Sequence, residues 1–219
     1  MKKLIAFLLF TVIFIVPSIS ETQNIPVTGV KIEDYQRPFD AVAGIQLNDE
    51  LSDVDPALSR FVESVTDGYS QAVRGVYVDD VLALNVIQQP SGSAGYVSEA
   101  VGIATQFSMA KQYNSIGLLA HNYSSGAKFF DLTFGSVIQI VYGDGTISEY
   151  EVAEIYRYQA LSPKSSTSQF VNLETGDRYS AAQVFYQMYT GDHHVTLQTC
   201  IQEGSVDSWG RLFIIAYPL

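Results

Sequence analysis

From Gly68 onward the sequence is built of short β-branched and aromatic runs separated by turn residues, a texture that restricts the chain to a mostly β architecture. Val73 to Val78, Val81 to Ile87, Ile116 to Ala120, Val137 to Tyr142, Ile147 to Tyr158, Val195 to Ile201 and Leu212 to Tyr217 predict strands. Seven such runs suggest a barrel or a sandwich. Gly143-Asp144-Gly145 joins two of them and predicts a hairpin turn; no helix follows it, so a plain turn is favoured over a phosphate loop.

Two helices interrupt this pattern. Asp55 before Pro56 is a helix start, Leu58, Phe61, Val62 and Val65 recur at helical spacing, and Gly68 is a stop, predicting a helix over about 56–67 that lids a core. Ala181, Val184, Phe185 and Met188 predict a second, short helix ending near Gly191-Asp192. No internal repeat and no low-complexity tract is present.

The N-terminus sets the compartment. Met1, Lys2 and Lys3 precede an apolar run from Leu4 to Val16 broken only by Thr11, and Pro17-Ser18-Ile19-Ser20 supplies small residues for a signal peptidase. The run is short for a membrane span, which needs about 20 residues, so 1–20 reads as a cleaved export signal, with an N-terminal membrane anchor over residues 4–19 as the alternative. Residues 21–54, mixing Pro, Asn, Asp and Gly without a period, read as an arm or linker, and 55–219 as one domain. The expected localisation is extracellular or cell-surface.

Losing Lys2 and Lys3 with residues 1–20, and no acid, changes the net charge from −11 to −13. Such a surface repels phosphate backbones and anionic lipid, which argues against a nucleic-acid partner.

Against that background the single cysteine, Cys200 in Thr196-Leu197-Gln198-Thr199-Cys200, stands out. An exported chain normally has paired cysteines or none, and an odd one is a buried bystander or a reactive thiol. Alternation of period two puts Val195, Leu197, Thr199 and Ile201 on one strand face and Thr196, Gln198 and Cys200 on the other, more polar one, which favours reactivity. A base and a cation are then needed. His121 ends the apolar run Ile116 to Ala120 just before the polar Asn122 to Gly126, a common address for a catalytic side chain. Arg211, at the start of the last strand, can reach the thiol if the two final strands are neighbours. His193 and His194 read as decoration of the solvated start of the cysteine strand. No Cys or third His stands at metal-ligand spacing, and Asp79-Asp80 reads as a turn rather than a calcium site, so no cofactor is expected.

These residues carry a specific resemblance. Thr-Leu-Gln-Thr-Cys, followed by an arginine at the start of the next strand and preceded by a strand-ending histidine in Gly117-Leu118-Leu119-Ala120-His121-Asn122, resembles the sortase family of cysteine transpeptidases over roughly Gly68 to Leu219. The resemblance implies a closed eight-stranded β-barrel with short helices, and His121, Cys200 and Arg211 as catalytic residues. It further implies Thr199 as a substrate or oxyanion contact. The implied partners are a protein substrate bearing a sorting signal and an amine acceptor. Ala120 stands where the family often has glycine, and the Ser-, Thr- and Gln-rich segment from Leu161 to Thr190 occupies the region that shapes substrate selection. A papain-like protease is disfavoured because its cysteine precedes its histidine in the chain. A sortase-like hydrolase, and an inactive surface-binding module on the same scaffold, remain alternatives.

Overall fold

A computed structural model describes residues 55–219; the expectations for residues 1–20 and 21–54 lie outside the described residues. The chain order is α1 (Pro56–Val65), β1 (Val73–Val78), β2 (Leu82–Gln88), β3 (Ile103–Gln106), α2 (Ser108–Lys111), β4 (Ile116–Leu119), a 3-10 helix (Ser125–Asp131), β5 (Val137–Tyr142), β6 (Ile147–Ala160), β7 (Gln169–Asn172), β8 (Arg178–Ser180), α3 (Ala181–Tyr189), β9 (Val195–Glu203) and β10 (Val206–Pro218).

The sheet closes on itself. Its order runs β10-β9-β4-β3-β2-β1-β5-β6, and β6 pairs back onto β10, giving the closed eight-stranded barrel expected from the sequence; β7 and β8 extend from β6 outside the ring. The β2–β3 and β4–β9 pairs are parallel and the other neighbours in the ring are antiparallel. Closure leaves these eight strands without a free edge.

Side-chain alternation fills the interior with Val76, Leu118, Ile138, Ile140, Val152, Leu197, Leu212 and Ile214, all inaccessible or nearly so. A second apolar cluster lies outside the barrel. There Val184, Met188 and Tyr189 of α3 pack on Tyr158, Phe213 and Ile215. α3 forms because Ser180 and Gln183 make a reciprocal capping box.

α1 is capped by Asp55, whose carboxylate accepts from the Ala57 and Leu58 amides, and it starts with Pro56. It lids β1 as expected. Phe61 packs against Tyr77 with ring centroids 5.8 Å apart, and a Cβ at Gly75 would come within 2.7 Å of the Phe61 ring.

The structure adds three strands, β3, β7 and β8, to those legible in the sequence. Each has four residues or fewer, too short to show a period. β10 also begins earlier than expected, at Val206, so Arg211 sits inside it rather than at its start. Gly210 allows that extension, because a Cβ there would approach the Tyr158 carbonyl oxygen of β6 to 2.5 Å. No helix among the described residues is long and apolar enough to cross a membrane.

Candidate active site

Strand register brings the expected trio together. β4 and β9 run parallel from Ile116 opposite Val195 to Leu119 opposite Gln198, a constant offset of 79 residues. The Ala120 amide donates to the Gln198 carbonyl at 3.2 Å, carrying the pairing one step beyond the strand end. His121 and Cys200 are also 79 residues apart, so the same offset brings them level. On the other side of β9, Cys200 pairs directly with Arg211 of β10. Cys200 and Arg211 therefore stand opposite each other on adjacent strands, whose spacing is about 4.8 Å, and His121 follows two residues after the end of β4, on the other side of β9.

Cys200 and Arg211 share the outer face, and all three residues are partly accessible. The inner face of β9 at this level belongs to Leu197 and Thr199, and that of β10 to Leu212. The expectation that Cys200 occupies the more polar face of its strand holds.

The Arg211 guanidinium is anchored by its own hairpin. Nη1 donates to the Ser208 and Gly210 carbonyls, each at 2.8 Å, and Nη2 donates to the Pro163 carbonyl at 3.4 Å. Carbonyls hold the head without neutralising it. The ion pairs among the described residues are Arg74–Asp67 and Lys128–Asp131, and Arg211 belongs to neither. Its Nε has no partner among the described residues, so donors remain for an incoming oxygen.

His121 is positioned by the loop that follows β4. Its carbonyl accepts from the Ser124 and Gly126 amides at 3.0 and 2.9 Å. Its ring stacks on Tyr123, with centroids 4.9 Å apart and planes 12° from parallel. Asn122 Nδ2 donates to the Asp207 carbonyl at 3.0 Å, tying this loop to the start of β10. Tyr123 and Asn122 are the site residues that sequence reasoning missed; the signal was their position directly after the histidine.

Thr199 is placed away from the thiol. Its side chain points to the barrel interior, it is 2% exposed, and its Oγ1 is the one buried side-chain polar atom among the described residues without a hydrogen-bond partner. Gly126 caps it, since a Cβ at Gly126 would collide with Thr199 Oγ1 and come within 2.6 Å of the Ala120 carbonyl oxygen. The hydroxyl expected to touch substrate thus lies on the face opposite Cys200, because alternation along β9 turns neighbouring side chains apart.

His193 stays partly exposed at the start of the strand, as expected, but His194 does not. His194 is 3% exposed, with Nδ1 2.6 Å from the Asp192 carbonyl oxygen and Nε2 3.0 Å from that of Met188. His193 bonds the Tyr150 hydroxyl through Nε2, at 2.9 Å. The loop between α3 and β9 folds back on the helix and buries what the sequence pattern left outside. Among the described residues no group of three or more His, Cys, Asp or Glu is placed to hold a metal ion.

A cavity of about 210 Å³ opens beside Arg211. Gln198, Arg211, Phe213, Ser165 and, from α3, Phe185 and Tyr189 are among the residues that line it. Burial pushes the Tyr189 hydroxyl far above the ordinary tyrosine range, so it keeps its proton and donates to Gln198 Oε1 at 2.5 Å. A wider cavity of about 720 Å³, lined by Tyr142, Glu149, Tyr150 and His193, touches none of the trio.

No family model matches this chain, and no curated protein matches it. Solved structures do. Sortase A of Listeria monocytogenes is 16% identical, with 68% of this chain and 88% of that chain covered at a TM-score of 0.42. Sortase E1 of Streptomyces coelicolor, solved with a tripeptide in its active site, is 17% identical over 67% and 87%, at 0.43. Sortase C of Clostridium perfringens, solved with its C-terminal cell wall sorting motif, is 14% identical over 77% and 93%, at 0.43. Likeness at this level says nothing of activity. The closed eight-stranded barrel rests on this chain's own strand pairing.

Proposed function

We propose that the protein is an exported, sortase-like cysteine transpeptidase that cleaves a sorting-signal peptide through a thioester on Cys200 and passes the acyl group to an amine. The observation that supports this best is the pairing of Cys200 with Arg211 across β9 and β10, with β4, which runs in register beside β9, leading into His121. In this reading residues 1–20 are the export signal or anchor, 21–54 the tether and 55–219 the catalytic domain. The protein works outside the cell or at its surface.

The chemistry runs in two halves. The Cys200 thiolate attacks the peptide carbonyl and a C–S bond forms. Negative charge gathers on the carbonyl oxygen, where the fixed charge and planar donors of Arg211 stabilise it. The C–N bond then breaks, and the His121 imidazolium gives its proton to the departing amine. In the second half an incoming primary amine gives a proton to His121 and attacks the thioester. The new amide forms as the C–S bond breaks, and the thiolate is restored.

Incubating the full chain with a sorting-signal peptide and a small primary amine, with Cys200→Ala as the blank, tests the reading by mass. A wild-type amide product that is absent from the blank is expected. An acid product instead of the amide would identify a hydrolase, and a peptide that protects Cys200 from a thiol reagent without turnover would identify an inactive binding module.

A further inference from the structure

The cavity beside Arg211 contains a polar group that the proposed chemistry does not use. Gln198 is two residues before Cys200 on the same face of β9, directly opposite Phe213. Its Oε1 is taken by the Tyr189 hydroxyl. Tyr189 is itself fixed, 2% exposed between Phe107, Phe185 and Phe213, with ring centroids 5.1, 5.4 and 6.4 Å away. A fully held phenol therefore sets the orientation of the Gln198 amide. That leaves Nε2 with two N–H donors and no partner among the described residues. Thr199 Oγ1 is the one buried side-chain polar atom there that lacks a partner, so Nε2 is not sealed in the wall but opens on the cavity that Gln198 lines.

Other hydrogen-bonding side chains of that cavity do not select in the same way. Ser165 and Ser166 have hydroxyls that both donate and accept. The Arg211 head is bonded to three carbonyls and lies level with the nucleophile. Gln198 alone offers an oriented donor pair set back from the thiol, surrounded by Phe107, Val184, Phe185, Tyr189 and Phe213. A donor in such a setting discriminates, because an apolar side chain against it would strip the N–H groups of water and leave them unpaired.

We propose that Gln198 is a specificity-determining residue, donating from Nε2 to a hydrogen-bond acceptor on the side chain of the acyl-donor peptide two residues before the one whose carbonyl is attacked. The spacing follows from strand geometry. Two residues of β9 and two residues of an extended peptide both advance about 6.7 Å, so a peptide running in the same direction as β9, toward the side where the cavity lies, with its carbonyl at Cys200 has its second preceding residue at Gln198. The inference rests on the reading of Cys200 as the nucleophile.

The test is a hexapeptide library randomised at every position, offered to the full chain with a small primary amine, the acyl products being sequenced by mass. Wild type is expected to enrich Asn, Gln, Ser, Thr and Asp over Leu and Met at the stated position by about tenfold, the worth of one neutral hydrogen bond. Gln198→Met keeps the length but not the donors and should abolish or invert that preference while still turning over peptides with apolar residues there. Tyr189→Phe keeps the packing, frees the amide to rotate and should weaken the preference without abolishing turnover. An unbiased position in wild type, or an acceptor preference that survives Gln198→Met, overturns the proposal. Absence of any wild-type product counts against the transpeptidase reading instead. Affinity selection of the same library on immobilised wild type and Gln198→Met then reads the preference without turnover, and equal selection by both overturns it.

Discussion

Arg211 stands directly opposite Cys200 across the β9–β10 ladder, on the same outer face. Opposed Cβ atoms in such a pair are about 5 Å apart, so the two side chains leave the sheet side by side without any long loop to position them.

If Arg211 stabilises an oxyanion, Arg211→Lys should lower kcat/KM about 10²- to 10³-fold with little change in thermal midpoint, because the charge survives but the planar donor array is lost. Steady-state acyl transfer measures the first quantity and thermal unfolding the second. Full activity in the lysine variant would remove Arg211 from the mechanism.

The proposed mechanism needs thiolate on Cys200 and imidazolium on His121 at once, so the transfer rate should follow a bell-shaped curve against pH. A profile measured from pH 5 to about 10 tests this. A monotonic rise throughout would exclude His121 as general acid.

Thr199 places an unpaired hydroxyl inside the barrel. Thr199→Val keeps the shape and deletes the unsatisfied group, so denaturant unfolding should show a chain of unchanged stability or one about 1 kcal/mol more stable. Acyl transfer should stay within about threefold of wild type, half a kcal/mol or so being the scale of a slight repacking. A hundredfold loss would instead make the hydroxyl part of the machinery despite its inward direction.

The Tyr77 hydroxyl, followed by the Ala57 amide, holds the Asp55 carboxyl below its ordinary range. A depressed folded-state pKa adds stability above the unfolded value and loses it as pH falls through the folded one, so this contribution is present at neutral pH and starts to be lost as pH falls below about 4. Asp55→Ala should lower the thermal midpoint by about 2–4 °C at pH 7 and by less at pH 3, the cap being partly discharged there in wild type as well. An equal loss at both pH values would show that charge is irrelevant to the cap.

Much of this was legible in the chain. The first helix was announced by Asp55-Pro56, and strands β1 and β5 have the predicted ends, because each rests on local capping or on an unbroken β-branched run. The outward direction of Cys200 also follows from alternation alone. Local sequence says which way a side chain points along its own strand.

What local sequence does not contain is which strand lies next to which. The parallel offset that levels His121 with Cys200, the ladder that opposes Arg211 to it, and the closure of β6 onto β10 are decided by barrel packing. So are β3, β7 and β8, held by neighbours rather than by propensity, and the burial of His194 under a loop that turns back on α3. Gln198 illustrates the division most clearly. Its face was readable from period two, but the phenol that orients its amide comes from a helix that reaches it only in the folded chain, since Tyr189 and Gln198, nine residues apart, meet there only when α3 packs on β6 and β10.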